Sequence, residues 1–356
     1  MIPSNATGDA PRFLFLADAG ADVGGGHAMR CLTLAGALTA RGAACAFVAT
    51  PAVAEILAKF GNVAVEALTT PAGDPRSLAE AAAALAADWG ADILVLDHYG
   101  LGAAEEAGLR GDGRRIAVLD DLANRPHDCD LLIDPGLGRA PKAYRSRVTA
   151  GARVLTGPDY ALVRPEFAAA RKAALARRGG SGSPRRALVS LGLTDVGGIT
   201  ARAVQAILPT LGDVALDVVL GAGAASLPVL SQLAARDRRI ELHVDVRDMA
   251  ALMARADIAV GAGGSSVWER ACLGLPSILL VLADNQSTLA RELDRRGATV
   301  AVDARRVADL APALPNAWAR LVADQGLRAS LVYASSSLCD GLGAERSADA
   351  VLALLR

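Results

Sequence analysis

The chain has 356 residues, of which 52% are hydrophobic and only 3% aromatic, and its 37 Lys and Arg nearly balance its 38 Asp and Glu. A net charge of −1 with so few aromatic rings argues against a nucleic-acid-binding protein, because such proteins usually present a basic face or stacking rings. The length is typical of two domains, each large enough to bury its own core.

Targeting and redox signals are absent from the sequence. The first ten residues lack the basic and apolar regions of a signal peptide. The longest strongly apolar run, residues 277–283, is far shorter than the roughly 18 residues that a membrane span needs. The five cysteines are scattered and form no CxxC or zinc-like spacing. We therefore expect a cytoplasmic protein with reduced thiols that contacts neither membrane nor nucleic acid.

The first half of the chain alternates short aliphatic runs with helices rich in Ala and Leu. The pattern predicts, in chain order, a strand at 13–17, a helix at 27–40, a strand at 43–49, a helix at 78–89 and strands at 92–96 and 115–119. Strands that are apolar on both faces and separated by helices are typical of a parallel sheet. Such β-α-β units form open, doubly wound sheets with right-handed crossovers.

The pattern breaks once and then restarts. A helix predicted at 165–177 is followed by a Gly/Ser/Pro run at 178–184, which has the composition of a linker. Behind it we predict strands at 187–191, 216–220, 240–244, 258–261 and 277–282, and a mostly helical tail at 307–356. The sequence thus predicts two α/β domains, residues 1–178 and 185–356, each a Rossmann-like, doubly wound parallel sheet.

The sharpest candidate site follows the first strand, where Gly24, Gly25 and Gly26 precede His27. The glycines allow close approach of the backbone to a ligand, and the helix N-terminus favours negative charge. The spacing is neither GxGxxG nor GxxxxGK[ST], so NAD and Walker-type phosphate sites are unsupported. The helix dipole should keep His27 neutral, which suits a general base. Alternatively, His27 only bonds to nearby backbone.

Two further groups of polar residues follow strands in this domain. Asp97, His98 and Tyr99 could bind sugar hydroxyls, orient a neighbouring base, or merely satisfy the polar groups of their own loop. Asp120 and Asp121 could hold Mg²⁺, but carboxylates also cap turns and pair with arginines, and no second cluster completes a ligand set. We therefore predict no metal site.

The second domain has a glycine-rich turn, Gly-Ala-Gly-Gly-Ser-Ser at 261–266, between a strand and a helix. Its backbone N–H groups and hydroxyls suit a diphosphate. Glu269 either closes a capping box with Ser266 or binds ribose hydroxyls, and the spacing does not separate the two. Asn285 and Gln286 end the next strand, where amides could hold an acetamido group or a water. Facing phosphate-binding crevices without a redox or kinase motif indicate a nucleotide-sugar enzyme.

Seven motifs in this order carry a family resemblance. They lie at residues 24–35, 97–99, 120–125, 127–130, 157–167, 263–270 and 283–286. Together they closely resemble the UDP-2,4-diacetamido-2,4,6-trideoxy-β-L-altropyranose hydrolases of pseudaminic acid biosynthesis, over about residues 12–345. The Gly-Gly-Ser…Glu part is shared with the wider GT-B group, which includes the peptidoglycan N-acetylglucosaminyltransferase.

The resemblance implies a GT-B fold with the active site in the interlobe cleft. It implies hydrolysis of the sugar–UDP bond at the anomeric carbon, with inversion and without metal or cofactor, on a route that ends in flagellin or surface glycans. The residues that match the family's functional positions are His27 as the catalytic residue, Gly25 and Gly26 beside the sugar, Tyr99 and Asn285 near the sugar or the water, Gly264, Ser265 and Ser266 at the diphosphate, and Glu269 at the ribose. One departure is the loop at 190–195, where Leu193 replaces an expected glycine.

The chemistry is consistent with one catalytic histidine. UDP is a good leaving group when its diphosphate is bound, so the second carboxylate that glycosidases use to protonate a poor leaving group is unnecessary. The remaining need is an activated water, and we expect a monomer that uses only the UDP-sugar and water. The alternatives are a GT-B glycosyltransferase that passes the sugar to an acceptor, and a non-catalytic UDP-sugar-binding protein.

Overall fold

The computed structural model describes residues 10–20, 23–61, 65–71, 74–111, 113–180 and 182–356, with the backbone alone at 307–309 and 311. The strands are β1 Arg12–Ala17, β2 Ala44–Ala49, β3 Val65–Thr69, β4 Ile93–Asp97, β5 Arg115–Leu119, β6 Leu131–Asp134, β7 Arg153–Thr156, β8 Arg186–Ser190, β9 Ala215–Leu220, β10 Ile240–Val244, β11 Ile258–Ala262, β12 Ser277–Val281 and β13 Val300–Asp303. The helices are α1 Gly26–Thr39, α2 Pro51–Phe60, α3 Pro75–Trp89, α4 Ala103–Arg110, α5 Pro165–Arg178, α6 Ile199–Ile207, α7 Leu227–Arg236, α8 Met249–Arg255, α9 Ser266–Cys272, α10 Ser287–Arg295, α11 Val307–Ala323, α12 Gln325–Leu338 and α13 Gly343–Leu352.

The chain divides into two compact units. Unit 1 comprises Met1–Leu162 together with Leu342–Arg356, and unit 2 comprises Val163–Gly341. This division differs from the predicted domains at both ends of unit 2, since α5 belongs to unit 2 and α13 belongs to unit 1. The predicted domain border was placed at the glycine- and serine-rich run at 178–184. The observed borders lie at 162/163 and 341/342, where the packing of the chain changes from one unit to the other.

Unit 1 contains a parallel sheet whose described strands run in the order β3-β2-β1-β4-β5-β6-β7. The order reverses between β1 and β4, as in a Rossmann sheet. Both faces are buried under helices, and apolar side chains fill them, including the stacked rings of Phe15 and Phe47 with centroids 4.8 Å apart. Near-complete burial of the central strands explains their continuous apolar sequences.

Unit 2 repeats the arrangement, with described strands in the order β10-β9-β8-β11-β12-β13, all parallel. Here the order reverses between β8 and β11. The structure therefore confirms the predicted fold class of two Rossmann-like α/β units. Within the described part of the chain, no helix combines the length and apolar character needed to cross a membrane.

Helix α13 completes the core of unit 1 although it lies at the end of the chain. Its Ala348 and Val351 are fully buried in the same apolar cluster as the core-facing side of α1. Gly343 abuts the backbone of Ala161 so closely that a Cβ would overlap it. Arg41, just after α1, donates from Nε to Asp349 Oδ1 at 2.9 Å. These contacts explain why the last helix packs with the first.

Helix α5 is held within unit 2 by its arginines. Arg171 donates from Nη2 to Ser336 O at 2.8 Å, and Arg178 donates from Nη1 to Leu273 O at 2.7 Å. Both acceptors are carbonyls at or next to the C-terminal ends of helices, α12 and α9, where cations are favoured. The Gly/Ser/Pro run is thus a connection inside unit 2.

Candidate active site

Ligands of open α/β sheets bind beyond the carboxyl ends of the strands, where the strand order reverses. In unit 1 this position lies beyond β1 and β4, and β1 leads into α1. Gly24 has φ +74°, which favours glycine, and it pairs with Gly20 through an N–H···O bond of 2.8 Å. Helix α1 then begins with Gly25 as N-cap, so that His27 lies in the first turn, as predicted, and is 6% exposed.

His27 forms a close pair with Asp97. Its Nδ1 lies 2.6 Å from Asp97 Oδ1, and Asp97 ends β4 directly beside Ala17, the last residue of β1. Because a carboxylate only accepts, this contact favours the tautomer in which Nδ1 carries the proton and Nε2 carries the lone pair when the imidazole is neutral. An imidazole oriented in this way can take a proton from water through Nε2.

Arg30, one turn further along α1, binds the same carboxylate. It donates from Nε to Asp97 Oδ2 at 2.5 Å and from Nη2 to Oδ1 at 2.6 Å, and its Nη1 donates to Asp121 Oδ2 at 2.8 Å. Burial alone would raise the pKa of Asp97, but Arg30 and His27 hold it well below its usual range. Burial likewise opposes the charge of Arg30, yet Asp97 and Asp121 raise its pKa. Asp97 therefore stays ionised throughout the physiological pH range.

Tyr99 completes the group. Its ring meets His27 edge-on, with centroids 4.5 Å apart, and its hydroxyl donates to Asp121 Oδ1 at 3.0 Å. Burial and the nearby Asp121 carboxylate raise the pKa of Tyr99, so the phenol is neutral. We call His27, Arg30, Asp97, Tyr99 and Asp121 the His27 cluster.

The hydrogen bonds of residues 97–99 distinguish between the roles that the sequence left open for them. Asp97 is 1% exposed and both of its oxygens are engaged, which favours orienting the base over contacting a sugar. His98 accepts from Gly100 N through Nδ1 at 3.0 Å, and burial lowers its pKa. His98 thus satisfies its own loop, whereas Asp97 and Tyr99 belong to the His27 cluster.

The neighbouring Asp120 has the structural role that sequence allowed. Its Oδ2 accepts from Ala123 N at 2.8 Å and its Oδ1 accepts from Arg125 Nη1 at 2.9 Å. The carboxylate therefore caps a turn and pairs with an arginine, and these contacts leave Asp120 no need of a metal ion.

One group among the described residues has donor atoms close enough to hold a metal, namely Asp217, Glu241 and His243 in unit 2. Asp217 Oδ1, however, already accepts from Arg186 Nη1 and Arg255 Nη2, each at 2.8 Å. Two guanidinium groups at the same carboxylate supply the positive charge that a metal would bring. The donor set therefore fits an ion-pair network and does not fit a metal centre.

In unit 2 the glycine-rich turn, residues 261–266, connects β11 to α9 beside the reversal of the strand order. Gly264 and Ser265 are exposed and Ser266 is half-buried. Gln286 packs against Gly263, where a Cβ would lie 2.9 Å from the Gln286 Cβ, and its Oε1 accepts from Leu282 N at 2.9 Å. The structure therefore brings the turn together with the 283–286 segment, on which Asn285 is exposed.

The capping box predicted for Ser266 and Glu269 does not form. The N-cap of α9 is Ser265, without a side-chain cap bond, so Ser266 is already inside the helix. Glu269 Oε1 instead accepts from Arg164 Nε at 3.2 Å and Nη2 at 3.1 Å. Of the two roles proposed from sequence for Glu269, the structural one is thus wrong, and the ribose contact stays a prediction.

The loop after β8, in which Leu193 is the departure, ends at Asp195. Asp195 adopts φ +46° and its carboxylate accepts from Thr200 N at 2.8 Å and Ser226 N at 2.7 Å. A carboxylate of the chain itself therefore occupies the first turn of α6. An anionic ligand would have to displace it there, whereas Gly264 and Ser265 in the glycine-rich turn are exposed.

Sequence reasoning missed three side chains that contact predicted residues, Arg30, Arg164 and Arg270, and it considered Asp121 only as a metal ligand or as a carboxylate that caps a turn or pairs with an arginine. Arg270 donates from Nη1 to Ser266 Oγ at 3.0 Å and from Nη2 to Ala262 O at 2.8 Å. Helical spacing carries a signal for two of them, because Arg30 is three residues after His27 and Arg270 is four after Ser266.

The sequence is similar to a glycosyltransferase domain family and to proteins of polysaccharide and UDP-sugar metabolism. Residues 201–319 match the Glycosyltransferase family 28 C-terminal domain. Among curated proteins, the chain is 28% identical over 205 residues to the spore coat polysaccharide biosynthesis protein SpsG of Bacillus subtilis, covering 56% of this chain and 58% of that protein. It is 23% identical over 207 residues to the UDP-2,4-diacetamido-2,4,6-trideoxy-β-L-altropyranose hydrolase of Campylobacter jejuni, covering 58% of this chain and 72% of that protein.

Solved structures share the fold over nearly the whole chain. MurG of Acinetobacter baumannii matches with a TM-score of 0.67 at 15% identity, covering 96% of this chain and 99% of that one. MnaA of Staphylococcus aureus, solved with UDP, matches with a TM-score of 0.66 at 14% identity, covering 95% and 94%. These likenesses show the predicted GT-B fold.

Proposed function

We propose that the protein hydrolyses UDP-2,4-diacetamido-2,4,6-trideoxy-β-L-altropyranose to UDP and the free sugar, in the biosynthesis of CMP-pseudaminic acid. The observation that carries the proposal is the 2.6 Å pairing of His27 Nδ1 with Asp97, which leaves Nε2 as the proton acceptor. The named hydrolase among the relatives and the ordered motifs from 24 to 286 support the choice of substrate.

In the proposed reaction, His27 Nε2 takes a proton from a water as the water oxygen attacks the anomeric carbon. The bond between that carbon and the UDP oxygen breaks, and UDP leaves with the electron pair, so the configuration inverts. Asp97 stabilises the imidazolium that forms, and Arg30 keeps Asp97 ionised. General-base catalysis by one positioned imidazole typically accelerates a reaction by about 10²–10⁴-fold.

The same proposal assigns the UDP part to the glycine-rich turn. Backbone N–H groups at Gly264 and Ser265 and the hydroxyls of Ser265 and Ser266 would bind the diphosphate, and Glu269 the ribose. Hydrogen bonds to the diphosphate stabilise the charge that develops as UDP leaves, so no acid is needed at the leaving oxygen. The reaction then requires neither a metal nor another cofactor.

The sugar contacts are proposed for residues on the two loops already described and for the glycines before His27. These are Gly25, Gly26, Tyr99, Asn285 and Gln286. Amides suit the acetamido groups, because each amide offers both a donor and an acceptor. We further propose that the protein works as a cytoplasmic monomer and needs only the UDP-sugar and water.

A second candidate is a glycosyltransferase that passes the sugar from UDP to an acceptor hydroxyl. The match of residues 201–319 to a glycosyltransferase domain favours it, as does the name of the spore coat relative. His27 would then deprotonate the acceptor in place of water. The two reactions differ in what attacks the anomeric carbon, which an experiment can decide.

The test is turnover of the named UDP-sugar in ¹⁸O-water with EDTA present. Hydrolysis at carbon predicts UDP release without any acceptor and ¹⁸O in the free sugar. ¹⁸O in UDP would mean that water attacks phosphorus, which would contradict the proposed mechanism. Release that depends on an added acceptor would favour the transferase, and UDP binding without turnover of either kind would indicate a binding protein.

A further inference from the structure

Arg270 lies directly beneath the glycine-rich turn. It is 3% exposed, and its two hydrogen bonds reach Ala262 O at the end of β11 and Ser266 Oγ at the start of α9. The guanidinium lies so close to Gly261 that a Cβ at that position would overlap Nη1 and Cζ. Only glycine at position 261 leaves room for the Arg270 guanidinium. Both ends of the turn are hydrogen-bonded to this one side chain.

The charge of Arg270 is not neutralised by a hydrogen-bonded carboxylate. Within the described part of the chain, its acceptors are a carbonyl and a hydroxyl, and the adjacent Glu269 carboxylate accepts from Arg164 instead. Burial lowers the pKa of Arg270 to about 10 although the charge of the neighbouring Glu269 raises it, so Arg270 remains protonated at neutral pH. A buried cation without an anionic partner is unfavourable unless something compensates it.

Arg178 provides an internal comparison. It is also largely buried, its pKa is also lowered to about 10 by burial, and its acceptors are the carbonyls of Met253, Ala256 and Leu273. Those carbonyls lie in the last turns of α8 and α9 or just beyond them, where the helix dipole favours a cation. Arg270 has no such partner, because its acceptors lie before α9 begins and within its first turn.

The Ser266 hydroxyl is the acceptor in its bond with Arg270, so its single O–H is available to donate elsewhere. A hydroxyl that accepts from a guanidinium is also polarised into a better donor. An anion beside Ser266 would thus receive a directed hydrogen bond and the field of a buried positive charge.

We propose that Arg270 is a positioning residue of the diphosphate-binding turn, which it acts on by fixing the turn at both ends and directing the Ser266 hydroxyl to a phosphate oxygen. This inference rests on the proposed binding of UDP to that turn. It predicts that Arg270 matters for the diphosphate and not for the nucleoside.

The experiment measures the dissociation constants of UDP and uridine by calorimetry for wild type, Arg270→Gln and the matched control Arg178→Gln. Loss of a charge-assisted bond predicts about tenfold weaker UDP binding for Arg270→Gln, with uridine unchanged. Arg178→Gln should change the UDP-to-uridine ratio by less than about twofold, even if its thermal stability falls as much.

A second series of variants tests the same role of Arg270 if Arg270→Gln does not fold. Arg270→Lys keeps the charge but loses the planar fork, so UDP binding should fall about threefold. In a Ser266→Ala background, which itself weakens UDP binding, Arg270→Lys should have a clearly smaller effect than in wild type, because only the contact with Ala262 O is left to lose.

The outcomes distinguish this inference from the proposed function. Wild-type protein that binds UDP no better than uridine would overturn both. Strong UDP binding that Arg270→Gln or Arg270→Lys leaves unaltered, or that falls equally for uridine, would overturn the role of Arg270 alone.

Discussion

The two candidate regions, the His27 cluster of unit 1 and the glycine-rich turn of unit 2, hold buried charge in opposite ways. In the His27 cluster, Arg30 lies between two carboxylates, Asp97 and Asp121, and each has a partner at 2.8 Å or less. In the glycine-rich turn, the buried Arg270 has only neutral acceptors. The first group is electrostatically complete without a ligand, as a preorganised catalytic base should be. The second has no hydrogen-bonded anion, and the nearby Glu269 charge only partly offsets the burial of Arg270, so an anion bound at the turn would add a stabilising charge.

The largest effect expected is from His27→Ala. Loss of the base should lower kcat about 10³-fold while the dissociation constant for UDP stays within about twofold. Steady-state kinetics with the UDP-sugar, beside UDP calorimetry, measure the two effects. The control is His98→Ala, a neighbouring histidine whose Nδ1 accepts from its own loop, and it should keep most of its activity. Normal turnover by His27→Ala would remove His27 from the mechanism.

Asp97→Asn should be the next most damaging change. A neutral amide orients His27 less firmly, and we expect kcat to fall roughly 100-fold. It also leaves Arg30 with one carboxylate instead of two, which should cost about 3 kcal/mol of unfolding free energy. Denaturant titration measures the stability, and Asp121→Asn, which removes the other carboxylate, is the comparison. Full activity with full stability would contradict the preorganised cluster.

The same variant predicts a pH dependence with a definite sign. The pKa of Asp97 is depressed in the folded protein, so its stabilising contribution is present above the unfolded-state pKa of about 3.9 and is lost as the pH falls towards the folded value. The difference in unfolding free energy between wild type and Asp97→Asn should therefore be constant above about pH 5 and should shrink below about pH 4. A difference that grows on acidification would contradict the assignment.

An intermediate effect is expected at Glu269, where binding and structure compete. If its carboxylate binds the ribose, Glu269→Gln should weaken UDP binding roughly tenfold and leave the binding of 2′-deoxy-UDP much less changed. Glu166→Gln is the matched control, because Glu166 also contacts Arg164, at 3.3 Å. Equal losses for both nucleotides in both variants would show that these carboxylates only hold Arg164.

The smallest effect is expected from Tyr99→Phe. The substitution keeps the ring against His27 and removes only the hydroxyl that donates to Asp121, so kcat should fall about three- to tenfold. Tyr333→Phe, at a tyrosine that is 79% exposed, serves as control and should leave kcat unchanged. A loss as large as that of His27→Ala would mean that the hydroxyl takes part in the chemistry directly.

The sequence predicted the central strands well, because burial on both faces gives them continuous apolar runs. It missed β3, β7 and β13, which are edge strands with half-buried or exposed residues, and β6, which has only four residues. These edge strands lack the two-sided apolar pattern of the central strands. The edge strand β10 was predicted nevertheless, because its sequence alternates apolar and polar residues.

The sequence predicts where the candidate residues lie along the chain, but it does not predict which of them form hydrogen bonds with one another. His27 and Asp97 each follow from a strand end, yet their hydrogen bond requires β1 and β4 to be neighbours, and strand order is a property of the whole sheet. The pairing of Glu269 with Arg164 joins residues 105 apart in the chain. Local spacing therefore identifies a candidate base, His27, and leaves its hydrogen-bond partners undetermined.

The packing of α13 against α1 has a consequence for how the protein is made. Unit 1 includes residues on both sides of unit 2, so the contact of α1 with α13 forms only after residues 343–352 have been synthesised. At about 5–20 residues per second, a ribosome spends on the order of ten seconds or more on the stretch between them. During that interval the apolar side chains of α1 that pack with α13 lack this partner, although all five residues of the His27 cluster, between positions 27 and 121, have already been synthesised.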